Sequence, residues 1–180
     1  MSSRNIDDLS YPIRKTCKDF VALGKEQGLD IMVYCTARDI TEQAMLYRQG
    51  RSLAKIKSKA KQLSDVYGRS DLAKLLLDVG PQQGRRVTNA GPGQSMHNYG
   101  EAFDAVPMIG GKPLWSDTEG GGAVEDAHDE AIWQKYGELA RYCGLQWAGD
   151  WTGFKEYPHC QSEDVTWKDL ISKGTGTGFA

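Results

Sequence analysis

The chain has few histidines and no long hydrophobic run. The first limits the number of possible histidine metal ligands, and the second excludes a membrane-spanning helix. Only three of its 180 residues are histidine. No stretch of about 18 consecutive apolar residues occurs, so no membrane-spanning helix and no membrane insertion are expected. Residues 1–8 lack the apolar core of a secretory signal, which predicts synthesis in the cytosol without a membrane anchor.

Cysteine is also sparse. The four cysteines are widely spaced and form no CxxC pair, which argues against a zinc ribbon or a redox motif. Apolar neighbours predict that Cys17, Cys35 and Cys143 are reduced core residues. Cys160 directly follows His159, and successive side chains of an extended segment point in opposite directions. We therefore expect Cys160 to lie behind whatever site His159 faces.

Charge of neither sign dominates the chain. The formal net charge is -2 and the pI is about 5.9, which predicts no nucleic-acid partner. One basic run alternates lysines with other residues over 55–61. This run is either a solvated exposed segment or a cationic surface that faces an anionic polymer, and the sequence leaves both open.

The composition is that of a soluble globular protein, with 39% hydrophobic and 26% charged residues. A chain of this length supports one hydrophobic core, so we expect a single domain over residues 1–180 and a monomer. The tail over residues 173–180 is rich in glycine and threonine and is expected to be flexible.

Hydrophobic spacing predicts a mixed fold. Apolar residues near helical spacing predict helices over residues 12–27, 40–49, 72–79 and 131–142. Short β-prone runs predict strands over 31–35, from 87 onward, and over 103–106, 146–148 and 158–161. Asp39, with Glu42 three residues later, predicts the N-terminal cap of the second helix. Because regular βαβ alternation is missing, we expect an α+β domain built on an antiparallel sheet.

Two segments have no clear place in this pattern. Residues 52–86 are polar apart from the helix predicted over 72–79. Residues 116–130 combine glycines with acidic residues and predict a flexible loop that runs into a helix. This loop lacks the spacing of a calcium-binding loop, so no calcium site is expected there.

Two of the three histidines stand close to carboxylates. A catalytic zinc ion takes three protein ligands and keeps a fourth position for water, and His97, Asp104 and His159 supply such a set. His97 and Asp104 lie seven residues apart, so on an unbroken strand they would face opposite sides. The turn-forming residues 98–100 predict a bend that returns Asp104 to the same face. Histidines near carboxylates also occur without a metal, so spacing alone does not decide.

Glu156, three residues before His159, is the candidate general base. Two alternatives stay open at this point. In the first, Glu156 is itself a metal ligand that closes the site, and in the second, Glu101 or Asp150 is the base. His128 has no ligand-type partner at a convincing spacing, so we expect it to have no role.

These residues belong to two motifs, S-x-H-x-x-G-x-A-x-D over residues 95–104 and E-x-x-H over residues 156–159. The pair resembles the zinc D-alanyl-D-alanine carboxypeptidase and dipeptidase family. Residues 87–106, together with 38–51 upstream, are more similar to the L-alanyl-D-glutamate endopeptidase branch, which includes phage endolysins. The resemblance extends over residues 30–162.

The resemblance implies a fold shared with the hedgehog signalling domain and a Zn²⁺ ion held by His97, Asp104 and His159. It implies that Glu156 is the catalytic carboxylate. It also implies that Arg38 steadies the substrate carbonyl as it becomes an oxyanion. On residues alone, an arginine at the corner before a helix is as often a plain surface charge.

The resemblance further implies that Ser95 and Gln43 line the substrate cleft. The implied substrate is bacterial peptidoglycan, cleaved between L-alanine and D-glutamate of its stem peptides. The implied setting is a phage endolysin that waits in the host cytoplasm until lysis and then acts on the cell wall in the periplasm.

The chain departs from the family pattern at Met96, where relatives often carry an aromatic residue, and over residues 52–86, which are longer than usual. Two alternatives are kept. One is a D,D-dipeptidase or carboxypeptidase that acts on D-Ala-D-Ala. The other is a non-catalytic zinc-binding module of the hedgehog-like fold.

Overall fold

The computed structural model describes residues 2–115 and 127–174. In chain order its elements are α1 (Tyr11–Glu26), β1 (Asp30–Cys35), α2 (Ile40–Arg48), α3 (Leu53–Tyr67), α4 (Ser70–Asp78), β2 (Ala102–Ile109), β3 (Lys112–Pro113), α5 (Ala127–Tyr142), β4 (Leu145–Trp147), β5 (His159–Ser162) and α6 (Trp167–Ser172). Short 3₁₀ turns cover Ile6–Asp8, Met96–Tyr99 and Ala148–Asp150.

The chain divides into two compact units, which we describe separately. The sheet unit comprises Ser3–Ala37 and the described residues of Gly100–Asp164. The helical unit comprises Ser2, Arg38–Tyr99 and the described residues from Val165 onward. The expectation of a single domain over residues 1–180 stays a prediction.

The sheet unit contains an antiparallel sheet with the strand order β1-β2-β5-β4, and β3 pairs with β2. Helices α1 and α5 pack against it, so the predicted α+β class is confirmed. Helix α1 buries Ile13, Cys17 and Phe20, the helical spacing read from the sequence. The Phe20 ring meets Tyr136 of α5 edge-on, with 5.0 Å between ring centroids.

The helical unit has its own hydrophobic core. The Asp39 side chain accepts hydrogen bonds from the backbone N–H groups of Thr41 and Glu42, which confirms the predicted cap of α2. Helix α3 begins at the Ser52 cap and ends at Gly68 in the left-handed conformation. The core is formed by buried side chains of α2, α3, α4 and α6: Ala44, Tyr47, Ile56, Ala60, Leu63, Leu72, Ala73, Leu76 and Ile171.

In residues 52–95, one helix was not predicted and one predicted strand is wrong. The sequence before residue 72 is polar, yet α3 fills it and buries Ile56, Ala60 and Leu63 at a spacing of four and three residues. The strand expected from residue 87 does not form. The carbonyl of Thr88 accepts a hydrogen bond from the Arg51 side chain, so this segment is held by a side chain and not by a strand ladder.

Several other predictions can be compared with the described residues. All four cysteines are free, and Cys17 and Cys35 are buried as predicted, whereas Cys143 is only partly buried and is not a core residue. Cys160 is buried as well. Most of the predicted acidic loop, residues 116–126, lies outside the described residues, as do residues 175–180 of the predicted flexible tail. Among the described residues, no helix combines the length and the apolar character needed to cross a membrane.

Candidate metal centre and catalytic residues

His97 lies in the 3₁₀ turn Met96–Tyr99 and is buried. The chain leaves this turn through Gly100, whose φ of +68° is a left-handed conformation that glycine adopts without strain. Strand β2 then starts at Ala102, two residues before Asp104. The predicted bend over residues 98–100 is therefore confirmed as a turn followed by a glycine.

Arg38 is fixed next to this turn within the helical unit. Its backbone N–H donates to the His97 carbonyl at 2.9 Å. The Asn98 side-chain amide donates to the Arg38 carbonyl at 3.0 Å. The guanidinium donates from Nε to Ser2 Oγ at 3.1 Å and from Nη1 to Gln43 Oε1 at 3.0 Å. Arg38 is thus a positioned cation, and the plain surface charge weighed from sequence does not describe it.

Gln43 is fully buried, with 0% of its surface exposed. While its amide oxygen accepts from Arg38, its amide nitrogen donates to the Ala90 carbonyl at 2.8 Å. These contacts make Gln43 a positioning residue for Arg38 and for the segment that precedes His97. Ser95 is half-buried, and its carbonyl accepts from the Asn98 N–H at 3.0 Å. Substrate contact by Ser95 and Gln43 stays a prediction.

Asp104 and His159 face each other on adjacent strands of the sheet unit. They are direct partners in the antiparallel register of β2 and β5. Asp104 Oδ1 lies 3.0 Å from His159 Nδ1, and the two side chains are only 15% and 9% exposed. Two ligands held by zinc in tetrahedral geometry at about 2.0 Å are about 3.3 Å apart. The observed separation therefore fits two ligands of one metal ion.

The second ring nitrogen of His159 is hydrogen-bonded to a glutamine side chain. Nε2 donates to Gln161 Oε1 at 3.1 Å, because an amide oxygen can only accept. Gln161 Nε2 in turn donates to Gln146 Oε1 at 2.6 Å, which fixes the orientation of the amide. Metal-binding histidines commonly donate their other N–H to such an acceptor. This glutamine relay was missed from the sequence, where Gln161 is only a strand residue two positions after a ligand.

Replacing Gln161 by alanine is expected to weaken zinc binding by about 10- to 100-fold, because His159 loses the acceptor that orients its ring. Gln161→Glu keeps an acceptor oxygen and should retain most of the affinity. Competition against a chromophoric chelator measures both values without any assay of activity. Equal affinity in all three proteins would exclude a positioning role for Gln161.

Glu156 lies on the segment that leads into β5. It is half-buried, its N–H donates to the Ala148 carbonyl at 3.3 Å, and its own carbonyl accepts from the His159 N–H at 3.0 Å. The neighbouring Tyr157 carbonyl accepts from Trp147 Nε1 at 2.6 Å, which ties this segment to the core. Glu156 is therefore anchored through its backbone within one tight turn of His159.

The two rival bases are engaged elsewhere in the sheet unit. Glu101 Oε1 accepts a hydrogen bond from Ser10 Oγ at 2.5 Å. Asp150 accepts two hydrogen bonds from Arg141 Nη1, at 2.9 and 2.7 Å. Both rival carboxylates therefore have charged or hydroxyl partners of their own, and Glu156 as the base stays a prediction.

Two cysteines flank the Asp104–His159 pair in different ways. Cys160 is buried on the opposite face, where its Sγ lies 3.4 Å from the Tyr136 hydroxyl, and burial raises the pKa of its thiol. It therefore stays a neutral core thiol. Cys35 pairs with Asp104 across β1 and β2, and its Sγ lies within 4.8 Å of an Asp104 carboxylate oxygen. The sequence placed Cys35 in the core and did not indicate this proximity.

Comparison with known proteins gives a consistent set of relatives. The family model described as D-alanyl-D-alanine carboxypeptidase, of peptidase family M15, matches residues 88–162. The chain is 29% identical over 155 residues to the peptidoglycan L-alanyl-D-glutamate endopeptidase CwlK of Bacillus subtilis (strain 168), covering 86% of this chain and 73% of CwlK. The chain is a metallopeptidase related to this family. The segment matched by the family model contains all three candidate ligands and Glu156.

Further similarities are to one phage protein and to two solved structures. The chain is 28% identical over 145 residues to the L-alanyl-D-glutamate peptidase of Listeria phage A118, a match that covers 73% of this chain. The matched part of the chain spans about half of the phage relative's length, 48%. Among solved structures, the Serratia marcescens L-Ala D-Glu endopeptidase ChiX aligns with a TM-score of 0.45 and 17% identity over 95% of this chain and 92% of ChiX. A mutant of the vancomycin resistance D,D-pentapeptidase VanY in complex with Zn(II) aligns with a TM-score of 0.43 and 14% identity, over 91% of this chain and 83% of VanY.

Proposed function

We propose that the protein is a zinc peptidase that cleaves the bond between L-alanine and D-glutamate in the stem peptides of bacterial peptidoglycan. The observation that carries the proposal is the buried Asp104–His159 pair, backed by the Gln161 relay. The names of the B. subtilis and phage relatives support the choice of substrate and bond. His97, from the motif over residues 95–104, is assigned as the third zinc ligand.

The proposed chemistry divides into two roles for the chain's own residues. When bound, zinc supplies a Lewis acid that polarises the scissile carbonyl and makes the attacking water more acidic. Glu156 accepts the proton of that water and delivers it to the nitrogen of the leaving amine. Arg38, oriented by Gln43, donates hydrogen bonds to the carbonyl oxygen as negative charge develops on it.

Mass spectrometry of digested muropeptides tests this proposal. The zinc-loaded protein should release fragments with a new D-glutamate amino terminus and leave D-alanine in place. The family model carries the description D-alanyl-D-alanine carboxypeptidase, which favours D,D-peptidase activity as the second candidate. Release of free D-alanine or D-Ala-D-Ala would establish that candidate and exclude the first.

We further propose that the protein serves in host cell lysis as a phage endolysin, present in the host cytoplasm until lysis. The similarity to the phage peptidase supports this setting. Added to Gram-negative cells with a permeabilised outer membrane, the protein should lower the turbidity of the suspension. If turbidity does not fall and muropeptides are not cut, the peptidase proposal is wrong, and the chain is a non-catalytic zinc-binding module.

A further inference from the structure

The helical unit contains a strongly cationic cavity that none of the candidate metal ligands or catalytic residues lines. Its volume is about 520 Å³. Four of its lining side chains are cationic, and none of the lining residues is acidic: the cations are Arg51, Lys55, Lys59 and Arg86. The other lining residues are polar or aromatic, with Tyr47 on one wall. Such a concentration of one charge is unusual in a chain whose net charge is -2.

Two of these cations are held rigidly by the surrounding fold. The Arg51 guanidinium lies 3.9 Å above the Tyr47 ring and donates to the carbonyls of Tyr47 and Thr88. Lys59 Nζ donates to Gln94 Oε1 at 3.0 Å and to Gln62 Oε1 at 2.7 Å. All of these partners are neutral, so the positive charges are oriented without being neutralised.

The electrostatics of the cavity agree with this arrangement. Burial lowers the pKa of Lys59, and the nearby charge of Arg51 lowers it further. Burial is also the main cause that lowers the pKa of Arg51, and Arg86 adds to it. An anion in the cavity would relieve this repulsion between like charges.

Helix α3 separates its lysines into two sets. Lys55 and Lys59 are one turn apart and line the cavity. Lys57 lies on the same helix but does not line it, and Lys61 is paired with Asp65. The lysine run is therefore not a uniform solvated stripe, and half of it contributes to one concave site.

A second cavity of about 310 Å³ shares Lys59, Gln62 and Asn89 with the first, so the two are adjacent, and together we call them the groove. Its wall includes Tyr67 and Trp167, which meet edge-on with 5.5 Å between ring centroids. Tyrosine and tryptophan side chains present an apolar body together with a polar group. The groove therefore combines a cationic end with an end of mixed apolar and amide character.

The groove is connected to the candidate catalytic residues inside the helical unit. Ala90 lines the second cavity, and its carbonyl accepts the Gln43 hydrogen bond that also orders Arg38. A ligand in the groove would thus contact the segment that leads to Ser95 and His97.

We propose that this groove binds anionic oxyacid groups of the cell-wall glycopolymer, so that the residues 52–86 hold the enzyme on its substrate. The proposal rests on the proposed function for the identity of the polymer. The acidic balance of the whole chain disfavours nucleic acid as the ligand. The anionic groups come either from carboxylates of the stem peptides or from phosphodiesters of attached polymers.

Binding to purified sacculi tests the proposal with two matched double variants. Lys55→Gln with Arg86→Gln removes two exposed cavity cations, whereas Lys25→Gln with Lys57→Gln removes two exposed lysines that do not line the groove. All proteins are full-length, zinc-loaded and carry Glu156→Gln, so that binding is measured without digestion. The cavity variant should bind roughly tenfold more weakly at low salt, and the control variant should bind as the parent does. Equal binding by the cavity variant, or an equal loss in the control, overturns the proposal.

Two further arms identify the source of the anions. Gram-positive sacculi, which carry phosphate polymers, are compared before and after these polymers are removed with hydrofluoric acid. The difference between the variants should disappear on removal if phosphodiesters are bound, and persist if carboxylates are bound. Double-stranded DNA is added as a competitor for the binding of the protein to sacculi. If DNA displaces the protein at a concentration lower than that of the sacculi, the cell wall is not the preferred ligand and the assignment is contradicted.

A soluble stem peptide separates this proposal from the proposed function. With Glu156 intact, the parent protein should cleave the peptide, which tests the peptidase assignment without sacculi. Failure of the parent itself to cleave would count against the peptidase assignment alone, and the comparison of sacculus binding would still stand.

Discussion

Glu156→Gln is expected to lower the turnover of stem peptides by about two to four orders of magnitude, the usual contribution of one acid–base group. The substitution keeps the size of the side chain and removes its ability to accept the proton of the attacking water. Its backbone contacts to Ala148 and His159 do not depend on the carboxylate, so the fold and zinc content should be unchanged. Single-turnover kinetics with zinc-loaded protein measures the effect.

Glu101→Gln is the matched control for that experiment. Glu101 is the rival base nearest in chemistry, but its carboxylate is engaged by Ser10. The control should keep most of the rate. If Glu156→Gln loses zinc, Glu156 is a ligand, and if it keeps full rate, another group is the base.

Gly137→Ala is expected to destabilise the protein by about 2 to 3 kcal/mol, although alanine ordinarily stabilises a helix interior. A Cβ at Gly137 would lie 2.2 Å from Cε3 and 2.3 Å from Cζ3 of Trp147. The indole is held in place, because Nε1 is bonded to the Tyr157 carbonyl at 2.6 Å and the Gly149 backbone lies at its other edge, where an added Cβ would also be 2.2 Å from the ring. The strain therefore falls on the segment that carries Glu156 and His159.

Thermal unfolding measures this effect, and the melting temperature should fall by about 4 to 10 °C for a chain of this size. Gly153→Ala is the control, because no described heavy atom lies within 4 Å of its Cβ position. Its melting temperature should stay within about 2 °C of the parent. Unchanged stability of Gly137→Ala would show that the packing between α5 and Trp147 is looser than described.

The features that the sequence predicted well depend on local chemistry. The Asp39 cap follows from a short carboxylate before a helix, and the bend after His97 follows from residues 98–100. The strand around His159 follows from a β-prone run with Cys160 pointing into the core. Each of these is fixed by neighbours in the chain, so periodicity and turn residues were sufficient.

The features that the sequence missed depend on partners distant in the chain. The lysines in α3 obscured the helical spacing of Ile56, Ala60 and Leu63, whose burial is decided by α4. Val87 has the propensity of a strand residue but no strand to pair with. The proximity of Cys35 to Asp104 follows from the β1–β2 register, which no local pattern reveals.

The roles of two glutamines depend on their hydrogen-bond partners. Gln43 was placed in the substrate cleft by resemblance, which stays a prediction, and its burial and its bond to Arg38 also make it a support for that cation. Gln161 supports His159 only because the two lie on one face of β5, two residues apart. Such roles need the hydrogen-bond partner to be known.

X-ray absorption at the zinc edge tests the central claim most directly, using the full chain with one equivalent of zinc. The account predicts only nitrogen and oxygen ligands at about 2.0 to 2.1 Å, with histidine scattering that falls in His97→Ala and in His159→Ala. A sulfur ligand at about 2.3 Å would make Cys35 a ligand and fill the position reserved for water, which would contradict a hydrolytic site.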